Sequence, residues 1–167
     1  MVIAIKYATS FSMGIAQSNI HDGQPAPETV FMTTDDTEWK FSEAQGKVVL
    51  VEYWAPWCMP CINALPHLQS INEKYQNRDD FQLVSITSSA DRSNAQQIFK
   101  DRKLEWELLF SIPDSSKKGD FQPTFIPAAY IIGRDGKVVA STVRGQAIDR
   151  KLEQLLGKQE RQQKPSH

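Results

Sequence analysis

The seven residues from Val48 to Trp54 read Val-Val-Leu-Val-Glu-Tyr-Trp, and they constrain the fold more than any other stretch of the chain. A nearly continuous β-forming run of this kind marks a strand covered on both faces, because a half-exposed strand alternates apolar with polar. Gly46-Lys47 supplies a turn ahead of it. A helical pattern follows from Met59 to Tyr75, in which Ile62, Leu65, Leu68, Ile71 and Tyr75 recur at three- and four-residue steps and share one face. Pro66 falls inside that pattern, removes a backbone donor and predicts a kink.

The same alternation continues along the chain. Phe81 to Thr87 reads as a second strand, and Ser93 to Lys103 as a second helix with Ala95, Ile98 and Phe99 facing inward. Ala128 to Ile132 and Lys137 to Ser141 flank Gly133-Arg134-Asp135-Gly136, which predicts a hairpin closed by a tight turn. Ala147 to Leu156 is a last amphipathic helix, with Ile148, Leu152, Leu155 and Leu156 apolar. This order predicts an α/β fold with a central mixed β-sheet flanked by helices, its first crossover parallel and right-handed.

The 167 residues suit one domain with tails. The domain is expected over residues 25–157, with an N-terminal segment over 1–24 and a polar tail over 158–167. In the N-terminal segment, Lys6, the apolar stretch Tyr7 to Ile15 and the small-x-small triplet Gly14-Ile15-Ala16 read as a secretory signal. Thr9, Ser10 and Ser12 interrupt that stretch, and a loosely packed arm is the alternative. Gln17 to Glu28, with Pro25 and Pro27, reads as a linker. The 19 basic and 20 acidic residues give no electrostatic reason to expect nucleic acid as a partner. No run of 18 or more apolar residues predicts a membrane-spanning helix.

Cys58 and Cys61 are the two cysteines of the chain, spaced Cys-Met-Pro-Cys where the buried strand passes into the first helix. A thiol at a helix N-terminus meets free N–H groups and about half a positive charge, so it ionises more readily. Two intervening residues let the second sulfur reach the first within one helical turn, and Pro60 suits an early helical position because its missing N–H has no intrahelical partner there. The expected chemistry is thiol–disulfide exchange. Cys58 attacks a partner disulfide, and Cys61, one turn deeper, resolves the mixed disulfide. A zinc site lacks ligands, since only His21, His67 and His167 accompany the two cysteines and none has zinc-site spacing. No metal and no cofactor are expected. A purely structural bridge would close a very small loop and stabilise little.

Glu52 lies in the middle of the buried run. An unpaired carboxyl group there is costly to ionise, so its pKa should rise. The alternative is a strand glutamate whose head reaches solvent or pairs with a lysine.

Trp54-Ala55-Pro56-Trp57-Cys58-Met59-Pro60-Cys61 resembles the active-site segment of thioredoxin-fold proteins. Pro25-Ala26-Pro27, Gly46-Lys47-Val48-Val49-Leu50-Val51 and Ile131-Ile132-Gly133-Arg134-Asp135-Gly136-Lys137-Val138 resemble the TlpA/ResA branch, over about Pro25 to Leu156. The resemblance implies a reductase of protein disulfides, served by an upstream electron donor, as in cytochrome c maturation or periplasmic thiol maintenance. It also implies a periplasmic or extracytoplasmic location, with the cytoplasm as the alternative; a monomer is expected. It further implies a cis-proline before a sheet strand, for which Pro127 is preferred over Pro123 because the apolar strand begins directly after it. A cis bond there exposes the Ile126 backbone to a substrate strand. Trp57, Met59, Pro60 and Ile126 are the expected substrate contacts. By the same resemblance Glu52 takes the position of a thioredoxin acid that accepts the Cys61 proton. The branch often places another acid three residues after the second cysteine. Here that position is Ala64, which shifts weight onto Glu52. Trp39 and Trp106 read as structural, and Trp54 and Trp57 as part packing, part surface. A cytosolic tryparedoxin- or peroxiredoxin-like protein, or a non-catalytic thioredoxin-fold binding module, are the alternative functions.

Overall fold

The structure is a computed structural model that describes residues 20–112, 121 and 123–157. The expected secretory signal and polar tail lie outside these residues. Among the described residues seven strands, β1 (Phe31–Met32), β2 (Glu38–Trp39), β3 (Val48–Tyr53), β4 (Phe81–Ser88), β5 (Glu107–Ser111), β6 (Ala128–Ile132) and β7 (Val138–Val143), form one sheet in the order β2-β1-β5-β4-β3-β6-β7. Strands β3, β4 and β5 run parallel, while β6 pairs antiparallel with β3 and β7 with β6. The helices are α1 (Met59–Tyr75), α2 (Arg92–Arg102) and α3 (Gln146–Leu156).

Every residue of β3 is buried, as its unbroken apolar run requires. Alternation divides them between two packing layers. Val48 and Leu50 meet Leu65, Leu68, Ile71, Phe99, Ile148 and Leu152 from the three helices. Val49, Val51 and Tyr53 meet an aromatic layer of Phe31, Trp39, Phe41, Phe121 and Tyr130. Within that layer the rings of Phe41 and Phe121 are 4.9 Å apart, and those of Trp39 and Phe41 stack edge-on at 5.1 Å. The Tyr53 hydroxyl donates to the Phe121 carbonyl, so the polar end of this buried ring is satisfied. Trp39 and Trp54 are buried, whereas Trp57 is 70% exposed, so Trp54 packs and Trp57 faces solvent.

Three differences from the sequence reading have physical causes. The described part of the expected linker docks on the hairpin. Gly23 N–H donates to the Val138 carbonyl at 2.7 Å, Val138 N–H to Gln24 at 2.8 Å, and Ala26 N–H to Gly136 at 2.8 Å. These bonds cover the free edge of β7, and Ile20 is buried beside them. Second, β1, β2 and β5 are strands that the apolar pattern did not single out. The first two are two residues long and draw their pairing from neighbours, not from a local pattern. Third, β7 runs on to Val143. Ala129 pairs with Val143 and Ile131 with Ala140, so β7 carries one residue more than β6 over that interval. The extra residue is a β-bulge, and beside it Thr142 lies at φ +51°, in the left-handed region. Helix α1 continues through Pro66 as one element.

Candidate active site

Cys58 is the N-cap of α1, and Met59 and Pro60 open the helix. The Cys58 Sγ accepts the backbone N–H of Cys61 at 3.3 Å, and the two cysteines are joined as a disulfide with Cα atoms 5.2 Å apart. The N–H and the positive end of the helix favour negative charge on the Cys58 sulfur once the bond is reduced. The two cysteines are buried unequally, Cys58 at 7% exposure and Cys61 at 1%. Beside Cys58 stand the exposed side chains of Trp57 and Met59.

Glu52 is on the helix-facing side of β3, between Ser85 of β4 and Ala129 of β6. It is only 4% exposed. Burial pushes its carboxyl group up to about 8, against a smaller opposing pull from the Arg144 guanidinium. The carboxyl group opens on a cavity of about 130 Å³ lined by Ala64, His67, Pro127, Arg144 and Ile148 among others. His67 Nε2 and Asp149 Oδ2 are 2.9 Å apart. Among the described residues no lysine lines this cavity.

The Ile126–Pro127 bond is cis. Ile126 shares a groove of about 360 Å³ with Trp57, Tyr53, Thr87, Ser111 and Pro123. The expected site residues therefore fall into three adjoining parts. The disulfide lies at the start of α1, Trp57 and Ile126 line the groove, and Glu52 and Pro127 line the cavity. Met59 and Pro60 are exposed on the first turn of α1, outside both linings.

Sequence reasoning missed Arg144 and Phe125. Arg144 Nη2 donates to the Pro127 carbonyl at 3.0 Å, and its guanidinium lies 5.1 Å from the Phe125 ring centre. Phe125 itself is half exposed. A Phe two residues before the preferred proline was the available signal. Nothing in the local sequence pointed to Arg144, because the bulge in β7 decides where that residue leaves the strand.

Several known proteins are similar to this chain. Thioredoxin-like protein YneN of Bacillus subtilis is 27% identical over 139 residues, covering 82% of this chain and 79% of its own. The thiol-disulfide oxidoreductase ResA of Bacillus thuringiensis is 25% identical over 140 residues, covering 81% and 77%. Among solved structures, a thiol-disulfide oxidoreductase from Bacteroides fragilis superposes with a TM-score of 0.70 at 24% identity, over 80% of this chain and 100% of that one. The thioredoxin domain of a thiol-disulfide oxidoreductase from Bacteroides vulgatus gives 0.71 at 19% identity, over 81% and 97%. The fold is thioredoxin-like. The Redoxin profile matches residues 21–156, and the chain belongs to the Redoxin family.

Proposed function

We propose that this thiol–disulfide oxidoreductase reduces protein disulfides, with Cys58 as the attacking group and Cys61 as the resolving one. The observation that carries this reading is the placement of Cys58 as the helix N-cap, its sulfur receiving the Cys61 N–H while Cys61 itself lies deeper. In the reduced protein the Cys58 thiolate attacks one sulfur of a partner disulfide. The partner's S–S bond breaks, a mixed disulfide forms, and the first partner thiolate takes up a proton. Cys61 then gives its proton to the Glu52 carboxylate and attacks the Cys58 sulfur. The second partner thiolate leaves, the partner has gained two electrons, and the Cys58–Cys61 disulfide remains. An upstream dithiol donor returns the pair to the reduced state.

With its pKa near 8, Glu52 is ionised in about one molecule in ten at pH 7, which suits a group that must both take and release a proton. Trp57, Met59 and the edge of Ile126 offer an apolar and backbone surface for an extended substrate segment. The resemblance to the TlpA/ResA branch and the signal-like N-terminal pattern support an extracytoplasmic site of action, with cytochrome c maturation or thiol maintenance as the setting. Among the described residues no helix is long and apolar enough to cross a membrane.

The test is turnover of a protein disulfide substrate by the full chain and by Cys58→Ala. The expected outcome is a fall of at least about a thousandfold in the variant, since the nucleophile is lost. Equal turnover would favour a non-catalytic binding module. Glu52→Gln should flatten the rise of rate with pH centred near 8. A profile unchanged from the parent protein removes Glu52 from proton transfer.

A further inference from the structure

Arg144 follows β7 directly and lies beside both the Phe125–Pro127 segment and the Glu52 cavity. Its guanidinium donates to the Pro127 carbonyl at 3.0 Å, lies 5.1 Å from the Phe125 ring centre, and lines the Glu52 cavity. Arg144 is exposed, yet its guanidinium meets a carbonyl and an aromatic face on the protein surface. The register explains how it arrives there. Val143 pairs with Ala129, so Arg144 leaves the sheet alongside Ala128 and Pro127.

We propose that Arg144 is a positioning residue for disulfide exchange, bracing the Phe125–Pro127 segment through the Pro127 carbonyl and coupling it to the Glu52 carboxyl group across their shared cavity. It touches neither sulfur. It acts through the Ile126 backbone, which it helps to hold, and through Glu52, whose ionised form its charge favours. The inference rests on the exchange reading given above.

The charged and titratable groups around Glu52 come from three elements. His67 of α1 lines the cavity, and its Nε2 bonds Asp149 of α3. The cysteine pair lies at the start of α1. Arg144 enters from the β7–α3 connection, while β6 contributes only the uncharged Ala129 and the preceding Pro127. Among these, Arg144 is the group whose charge opposes the effect of burial on Glu52. Removing that charge leaves burial less opposed, so Glu52 should titrate at higher pH. A lysine keeps the charge and should largely preserve the titration.

The experiment follows the Glu52 carboxyl carbon by NMR as the oxidised full chain is titrated, with Glu52→Gln identifying the signal. We expect the midpoint to rise by at least about half a unit in Arg144→Met and to stay close to the parent in Arg144→Lys. A half-unit rise corresponds to about a threefold loss of exchange rate at pH 7, absent when Arg144→Met is combined with Glu52→Gln. A midpoint unmoved in Arg144→Met, or moved equally in the methionine and lysine variants, overturns the proposal. Because the titration is read on the resting disulfide form, its outcome stands apart from whether the protein turns over a substrate.

Discussion

Two carboxyl groups sit toward opposite ends of the parallel strands, and the protein treats them in opposite ways. Asp80 lies just before β4, where it accepts Arg78 Nε at 2.7 Å and Arg134 Nη2 at 2.6 Å. Those hydrogen bonds hold its carboxyl group well below the usual carboxylate range. Glu52 lies toward the other end of β3, is covered by helices, and is pushed the other way by burial. Asp80 fastens the hairpin turn to the foot of the sheet, since Arg134 also donates to the Leu155 carbonyl at 3.0 Å and its own carbonyl accepts Gly46 N–H at 3.1 Å. The end that carries Asp80 is arranged for stability. The end that carries Glu52 keeps a carboxyl group in a place where its ionisation weakens the fold, which suits the proton-accepting role proposed for it.

The largest effect expected from this contrast is on Glu52→Gln. The folded pKa of Glu52 is raised, so folded protein binds the proton more tightly than unfolded chain does. Its contribution is fully present below the ordinary value of 4.5 and is lost as pH rises through about 8. Glu52→Gln should therefore gain stability over the parent with rising pH, by on the order of 4 kcal/mol between pH 4 and pH 9, as denaturant unfolding reports. A constant difference across that range would mean that Glu52 is ionised without penalty.

Asp80→Asn should show the reverse trend and a smaller size. A depressed folded pKa contributes stability above the ordinary value of 3.8, lost as pH falls toward and through the folded value. Asp80 is 33% exposed in its side chain, so solvent screening limits the loss at neutral pH to about 1 kcal/mol. Its exchange rate should match the parent's. A slower rate would mean that the two ends are coupled. The smallest effect belongs to Thr142→Gly, which removes a β-branched residue from φ +51° and should raise stability by up to about 1 kcal/mol. If it destabilises instead, the Thr142 side chain makes a contact that outweighs its backbone strain.

The Glu52 side of this contrast was legible in the sequence, and the Asp80 side was not, because its partner Arg134 is distant along the chain. The run Val48 to Trp54 is apolar enough to announce a central strand, and the odd residue in it, Glu52, announced itself by its surroundings. Helix α1 has the bounds its periodicity predicts, Met59 to Tyr75. The Cys58–Cys61 spacing needed only local geometry. What stayed hidden depends on partners distant in sequence. The aromatic layer is completed by Phe31, Phe41 and Phe121, which no single periodic segment contains. The docking of Gly23 to Ala26 depends on the edge that β7 leaves open. Arg144 reaches Pro127 from the register that the two shifts in the β6–β7 pairing impose.

The central claim is that the Cys58–Cys61 couple works as a reductant of protein disulfides. The reduction potential of that couple in the full chain, measured by equilibration with glutathione or dithiothreitol, tests it most directly. The account predicts a reducing value, near that of thioredoxin at about −270 mV. A value near about −120 mV, that of a strong oxidant, would contradict it, because the dithiol would then be too stable to give up its electrons to a protein disulfide.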